Sequence, residues 1–255
     1  MTDLSVLALA FGVIPLAAIF LYSFRETIAV HREAVWGGLS GVIAFLALSH
    51  AMAFVLLDKG QLTFVLGEAA TTFFLFMGLG IGAVLSWFIF EGPLIRTEPS
   101  RVVWAATSFI ALHSIADGLI LGTDFVGALV PSVRIDALTV SATVIHRLAE
   151  GAIILIPVFA ASWKPRGSFL VLIVAAVSIP AAYVPGFLFQ TLPLADAAVT
   201  NIAVSTFLAA IEASFGLLLL VRGFLPIAMI DRGSRWPVWT ALGFIGITLV
   251  HFFVE

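Results

Sequence analysis

The chain has 255 residues, 62% of them hydrophobic and 11% charged, with a formal net charge of −3. Soluble domains carry about 25% charged residues, so this composition indicates an integral membrane protein, and residues 1–255 read as one transmembrane domain with no soluble module. The absence of cysteine excludes disulfides, iron–sulfur clusters and thiolate metal sites.

Windows of about 20 apolar residues mark membrane spans. Eight are predicted: 4–23, 37–57, 62–90, 102–122, 137–161, 168–189, 197–221 and 236–254. The first is preceded by no basic residue and followed by no small-residue cleavage pattern, so it reads as a retained helix and not a signal peptide. The separators are Arg25 to Glu33, Asp58 to Gly60, Glu91 to Arg101, Thr123 to Asp136, Lys164 to Arg166, Gln190 to Asp196 and Arg222 to Arg235. None is longer than about 15 residues, too short for a folded module.

Basic residues set the orientation. Arg25, Arg32, Arg96, Arg101, Lys164, Arg166, Arg222, Arg232 and Arg235 fall in the odd connections, and only Lys59 and Arg134 in the even ones. This bias predicts odd loops in the cytoplasm and both termini outside. Asp3, Asp58, Asp124, Asp136, Asp196 and Glu255 then fall on the outer face. Such a face concentrates cations, although acids also serve simply to keep loops solvated. Gly78 and Gly82 form a G-x-x-x-G in span 3, a pattern that lets two helices approach closely.

Ionisable groups in hydrocarbon are costly and mark function. Spans 4 and 5 carry two matching segments, His113-Ser-Ile-Ala-Asp117-Gly118 and His146-Arg-Leu-Ala-Glu150-Gly151. In each, a histidine and a carboxylate four residues apart share one helix face. A short outer connection makes the two spans antiparallel neighbours. That pairing sets His113 near the depth of Glu150 and Asp117 near that of His146, a two-fold arrangement of the kind inverted repeats produce. Two imidazoles and two carboxylates without sulfur suit Zn²⁺, Fe²⁺, Mn²⁺ or Co²⁺. The alternative is a pair of His–carboxylate hydrogen bonds that only lock helices 4 and 5 together. Glu68 and Asn201 near span ends, and His251 close to the C-terminus, read as structural residues.

These paired motifs resemble those of the ZIP (Zrt-, Irt-like protein) family of divalent metal transporters. The family's motifs are of the type H-N/S-x-P-[E/D]-G in span 4 and H-x-x-P-E-G in span 5. Span 2 is similar as well, with Gly37-Gly38-Leu39-Ser40-Gly41 leading through Phe45-Leu46-Ala47 to His50. So is span 7, with Phe207 to Glu212. The resemblance covers most of the chain. It implies an all-α bundle of eight transmembrane helices with inverted-repeat character, both termini extracytoplasmic, and a metal-carrying bundle that moves against a scaffold bundle, usually in a homodimer. It also implies that His113, Asp117, His146 and Glu150 bind the transported ion, with His50 and Glu212 as accessory residues on its route.

Three departures stand out. Ala116 and Ala149 replace the motif prolines, and proline kinks helices, so spans 4 and 5 are expected to be straighter. Ser114 and Arg147 follow the two histidines where many members hold a second metal, and Ser178-Ile179-Pro180 lacks the expected span 6 carboxylate. A cationic Arg147 excludes a second dication, which predicts a single-metal site with Arg147 paired to Asp117, Glu150 or Glu212. A purely structural salt bridge, for instance to Glu212, is the alternative. The 3–4 loop is short and has no histidine.

The leading expectation is non-ATP transport of a divalent cation, Zn²⁺ first, across the cell membrane toward the cytoplasm. No P-loop occurs in the chain, and neither an enzymatic activity nor nucleic-acid binding is expected. A membrane haem protein using His50, His113, His146 and His251 as axial ligands is the main alternative. An intramembrane metalloprotease would need H-E-x-x-H, and no two histidines here lie four apart. A metal sensor would need an output domain.

Overall fold

Hydrocarbon offers a backbone no hydrogen-bond partners, so apolar runs of this length satisfy their own amides as helices. The computed structural model describes residues 3–93, 95, 98–127, 137–189, 194–230 and 235–254, and all regular structure among them is helical. Helix α1 spans Asp3–Ser23, and the short α2 spans Arg25–Val30. Helix α3 (Arg32–Ala44) runs through a π-helical segment, Phe45–Ala51, into α4 (Met52–Leu66). Then come α5 (Glu68–Glu91), α6 (Glu98–Gly127), α7 (Ala137–Ala160), α8 (Pro165–Phe189) and α9 (Leu194–Leu219). A second π-helical segment, Leu220–Phe224, leads to α10 (Leu225–Ala228), and α11 (Trp236–Val254) follows.

Among the described residues, four helical stretches are long and apolar enough to cross a membrane: Glu68–Glu91, Pro99–Leu119, Pro165–Pro185 and Ile202–Ala228. Gly12–Ser23 and Trp236–Phe252 are apolar but shorter. Helix α7 has 24 residues but carries charged side chains at its centre. These features make the chain a helical membrane protein.

Two expected separators move. Asp58 to Gly60 lies inside α4, and the chain turns instead at Gly67, whose φ of +80° suits a residue without Cβ. One charged pair is not enough to end a helix whose backbone bonds are otherwise complete. The helix expected to end near 221 continues to Ala228, because Arg222 extends outward and bonds Glu91 at the end of α5. Arg96, Arg134 and Arg232 lie outside the described residues, as do the side chains of the six expected outer acids and of His50 and Asn201.

Packing on α5 follows the rule for hydrocarbon solvent, with small residues inward and large apolar ones outward. Thr71, Gly78, Gly82 and Ser86 are buried, while Phe73, Phe76, Trp87 and Phe88 are exposed. The predicted glycine pair makes the contact with α9. A Cβ on Gly82 would strike the carbonyl oxygen of Ile211 and the hydroxyl of Ser214, and one on Gly78 would come within 2.9 Å of the Ala210 Cβ.

The helices sort into two groups. Helix α6 packs most extensively on α8, and α1 packs on α7 and α8. In the other group α3 packs on α11, and α5 and α4 pack on α9. The groups meet where α6 contacts α9 and α7 contacts α11. Phe109 of α6 stacks on Phe215 of α9 in this seam, at 6.4 Å and 14°. The polar cluster lies in the same seam.

Candidate metal centre

Helical periodicity places His113 above Asp117 on α6, and His146 above Glu150 on α7. Both helices run unbroken through Ala116 and Ala149, since alanine keeps the backbone bond that proline would remove. Gly151, next to Glu150, lets α1 close in behind the site; a Cβ there would lie 2.5 Å from the Ala17 Cβ.

The two motifs converge on one point. One ligand atom each from His113, Asp117, His146 and Glu150 all lie within 4.8 Å of one another, a group that could hold a metal ion. His113 Nε2 lies 3.3 Å from His146 Nε2 and 3.4 Å from Glu150 Oε1. His146 Nε2 is 3.0 Å from Glu150 Oε1, and His113 Nε2 is 3.7 Å from Asp117 Oδ2. Metal–ligand bonds of about 2.0–2.2 Å give tetrahedral edges of roughly 3.4 Å, so three of the four groups already have the spacing of a coordination shell. His113, Glu150 and Glu212 are almost fully buried, and Asp117 has 19% of its side chain exposed.

Arg147 occupies the heart of this cluster. Its Nη1 donates to both Glu150 oxygens at 2.8 Å, and its Nη2 donates to Asp117 Oδ2 at 2.7 Å. Of the three acids considered as its partner, it takes two, and Glu212 is not among them. Asp117, expected near the depth of His146, hydrogen-bonds Arg147 and lies within the same 4.8 Å cluster as His146. Arginine's planar fork reaches two carboxylates at once.

Glu212, an expected accessory residue, reaches the cluster through His113. His113 Nδ1–H donates to Glu212 Oε1 at 3.0 Å, which turns the Nε2 lone pair into the cluster. His146 has no such support, because its Nδ1 is buried without a hydrogen-bond partner. The Ser114 hydroxyl is likewise buried without one. His50 lies in the first π-helical segment, a distortion that recurs at functional sites. Replacing Glu212 with Ala is expected to weaken Zn²⁺ binding about 10–100-fold in a calorimetric titration, with Glu212→Gln recovering part of the loss.

His251, read from the sequence as a structural residue, packs beside the cluster. Its ring lies 4.6 Å from that of His146 and 4.6 Å from that of Phe45, so α11 and the π-helical segment brace the second ligand. Its place four residues from the C-terminus gave no sign of this contact, since the last turn of a span usually meets water.

A cavity of about 830 Å³ opens at the arginine-rich end of the bundle, lined by Tyr22, Arg25, Arg32, Trp36, Pro157 and Arg222 among others. Between Pro157, which lines the cavity, and Glu150 of the cluster on the same helix, Ile153, Ile154 and Leu155 are almost fully buried.

A scan against protein-family models finds no match, and a search of curated proteins finds none either.

Proposed function

We propose that the protein is a ZIP-like carrier of divalent transition-metal cations, binding one ion at a time between α6 and α7 and moving it across the cell membrane toward the arginine-rich, cytoplasmic side. The observation that carries this reading is the convergence of two imidazoles and two carboxylates within 4.8 Å at the centre of a membrane bundle. Hydrogen bonding between helices needs no such duplication.

The donor set favours Zn²⁺, with Fe²⁺ and Mn²⁺ as further substrates. The incoming ion takes the carboxylate oxygens now bonded to Arg147. The guanidinium keeps a second dication out, so the stoichiometry is one. The two helix groups meeting at the cluster fit a carrier in which one group moves against the other, and a homodimer is the assembly expected. A haem reading fits less well. The rings of His113 and His146 are only 5.5 Å apart, and Glu150 and Arg147 fill the space beside them.

Uptake of radioactive zinc by proteoliposomes tests the proposal. His113→Ala is expected to reduce it about 100-fold while the variant still elutes as a folded species, since a truncated ligand takes its oriented lone pair with it. Uptake by the variant at the parent rate would sink the reading.

A further inference from the structure

Resting on the carrier reading above, we infer that Arg147 is a built-in counter-cation that fills the site whenever the metal has left, so that the empty carrier reorients without a co-transported proton or sodium ion.

A carrier must return empty after releasing its cargo. Here the vacated site would present the carboxylates of Asp117 and Glu150 to a low-dielectric interior. Buried charges without partners are strongly disfavoured. Carriers commonly meet this demand by loading a small coupling cation on the return step. In this protein the guanidinium already does so, bonding both Glu150 oxygens and Asp117 Oδ2 at 2.7–2.8 Å.

Three details fit exchange with a metal better than a fixed strut. Arg147 lies three residues before Glu150 on the same helix, so it travels with the site. Among the described residues its side-chain hydrogen bonds go to Asp117 and Glu150, while its Nε is buried with no partner there. The bonds it forms are therefore the ones an arriving dication would take. Glu212, which does not move with α6 and α7 in this scheme, is satisfied separately by His113.

Arginine stays charged at all accessible pH values, so it neither gains nor releases a proton in the cycle. Each turnover then carries only the two charges of the metal, and the driving force is the metal gradient plus the membrane potential.

The test uses purified full-length protein in liposomes with Zn²⁺ as the probe and the potential clamped by potassium and valinomycin. Net uptake into empty vesicles is measured beside exchange of labelled for unlabelled zinc. For the parent protein, an imposed proton or sodium gradient is expected to change net uptake less than about twofold. For Arg147→Gln, net uptake is expected to fall so much more than exchange that their ratio shifts by about tenfold or more, with Arg147→Lys restoring most of it. The proposal is overturned if parental uptake follows a proton or sodium gradient, an outcome that does not depend on whether any variant folds. It is also overturned if Arg147→Gln loses exchange and net uptake in equal proportion while still binding Zn²⁺. Absence of exchange in the parent protein would instead remove the carrier reading itself.

Discussion

Replacing Glu150 with Ala is expected to abolish metal binding and to lower the stability of the metal-free protein by about 3–5 kcal/mol, the range for breaking a buried ion pair from one side. Both effects come from one side chain. Glu150 accepts two bonds from Arg147 and one from the His146 Nε2–H, and its Oε1 is 3.4 Å from His113 Nε2. Without it, Arg147 loses two of its three side-chain hydrogen bonds and keeps only the one to Asp117, with the remaining guanidinium N–H groups buried. Thermal melts in detergent read the stability loss, and calorimetric titration reads the binding. Glu150→Gln separates the two, because the amide keeps the shape and accepts one bond but cannot neutralise a dication. A Glu150→Ala protein that melts like the parent and binds Zn²⁺ with parental affinity would show that this carboxylate is not part of the site.

The second large effect is expected at Arg147, and it has the opposite dependence on metal. Arg147→Met keeps an unbranched apolar stem but removes the guanidinium and its charge, leaving Asp117 and Glu150 facing each other across a buried space. Metal-free stability is expected to fall by about 3–5 kcal/mol. Unlike the loss at Glu150, this one is reversible by ligand. Zinc at 100 times its dissociation constant adds about 2.7 kcal/mol to any protein that binds it only when folded. The variant gains more than the parent at a given zinc concentration, because in the parent the ion must first displace the guanidinium. Melting curves of both proteins across a zinc series check this: the spacing between them narrows as zinc rises. Parallel curves would mean that Arg147 does not compete with the ion.

The cluster was legible in the sequence because its signal is local. A histidine and a carboxylate four apart share a face whatever surrounds them, and the repeat of the pattern in adjacent spans indicated that the faces meet. The partners reached across the fold were not legible. Glu212 lies 99 positions from His113, and only the packing of α6 on α9 reveals that it aims that imidazole. His251 reaches His146 from α11 by the same kind of long-range contact. Arg147 was identified as a cation beside the site, but its choice of Asp117 and Glu150 over Glu212 depends on where a long, flexible side chain settles. The span boundaries missed at Asp58 and Arg222 have a different origin. Composition marks where water is tolerated, while a helix ends where its backbone bonds do, as at Gly67.

On the proposed carrier reading, the apolar run of α7 between Glu150 and Pro157 bears on speed as well as access. At 1.5 Å per residue it is about 10 Å long, and Ile153, Ile154 and Leu155 within it are almost fully buried. A carried ion would then reach the cavity only when the helices rearrange, on a scale of microseconds to milliseconds or slower. If the carrier proposal holds, flux is expected to saturate with concentration and fall steeply on cooling, with no single-channel current steps in planar bilayers.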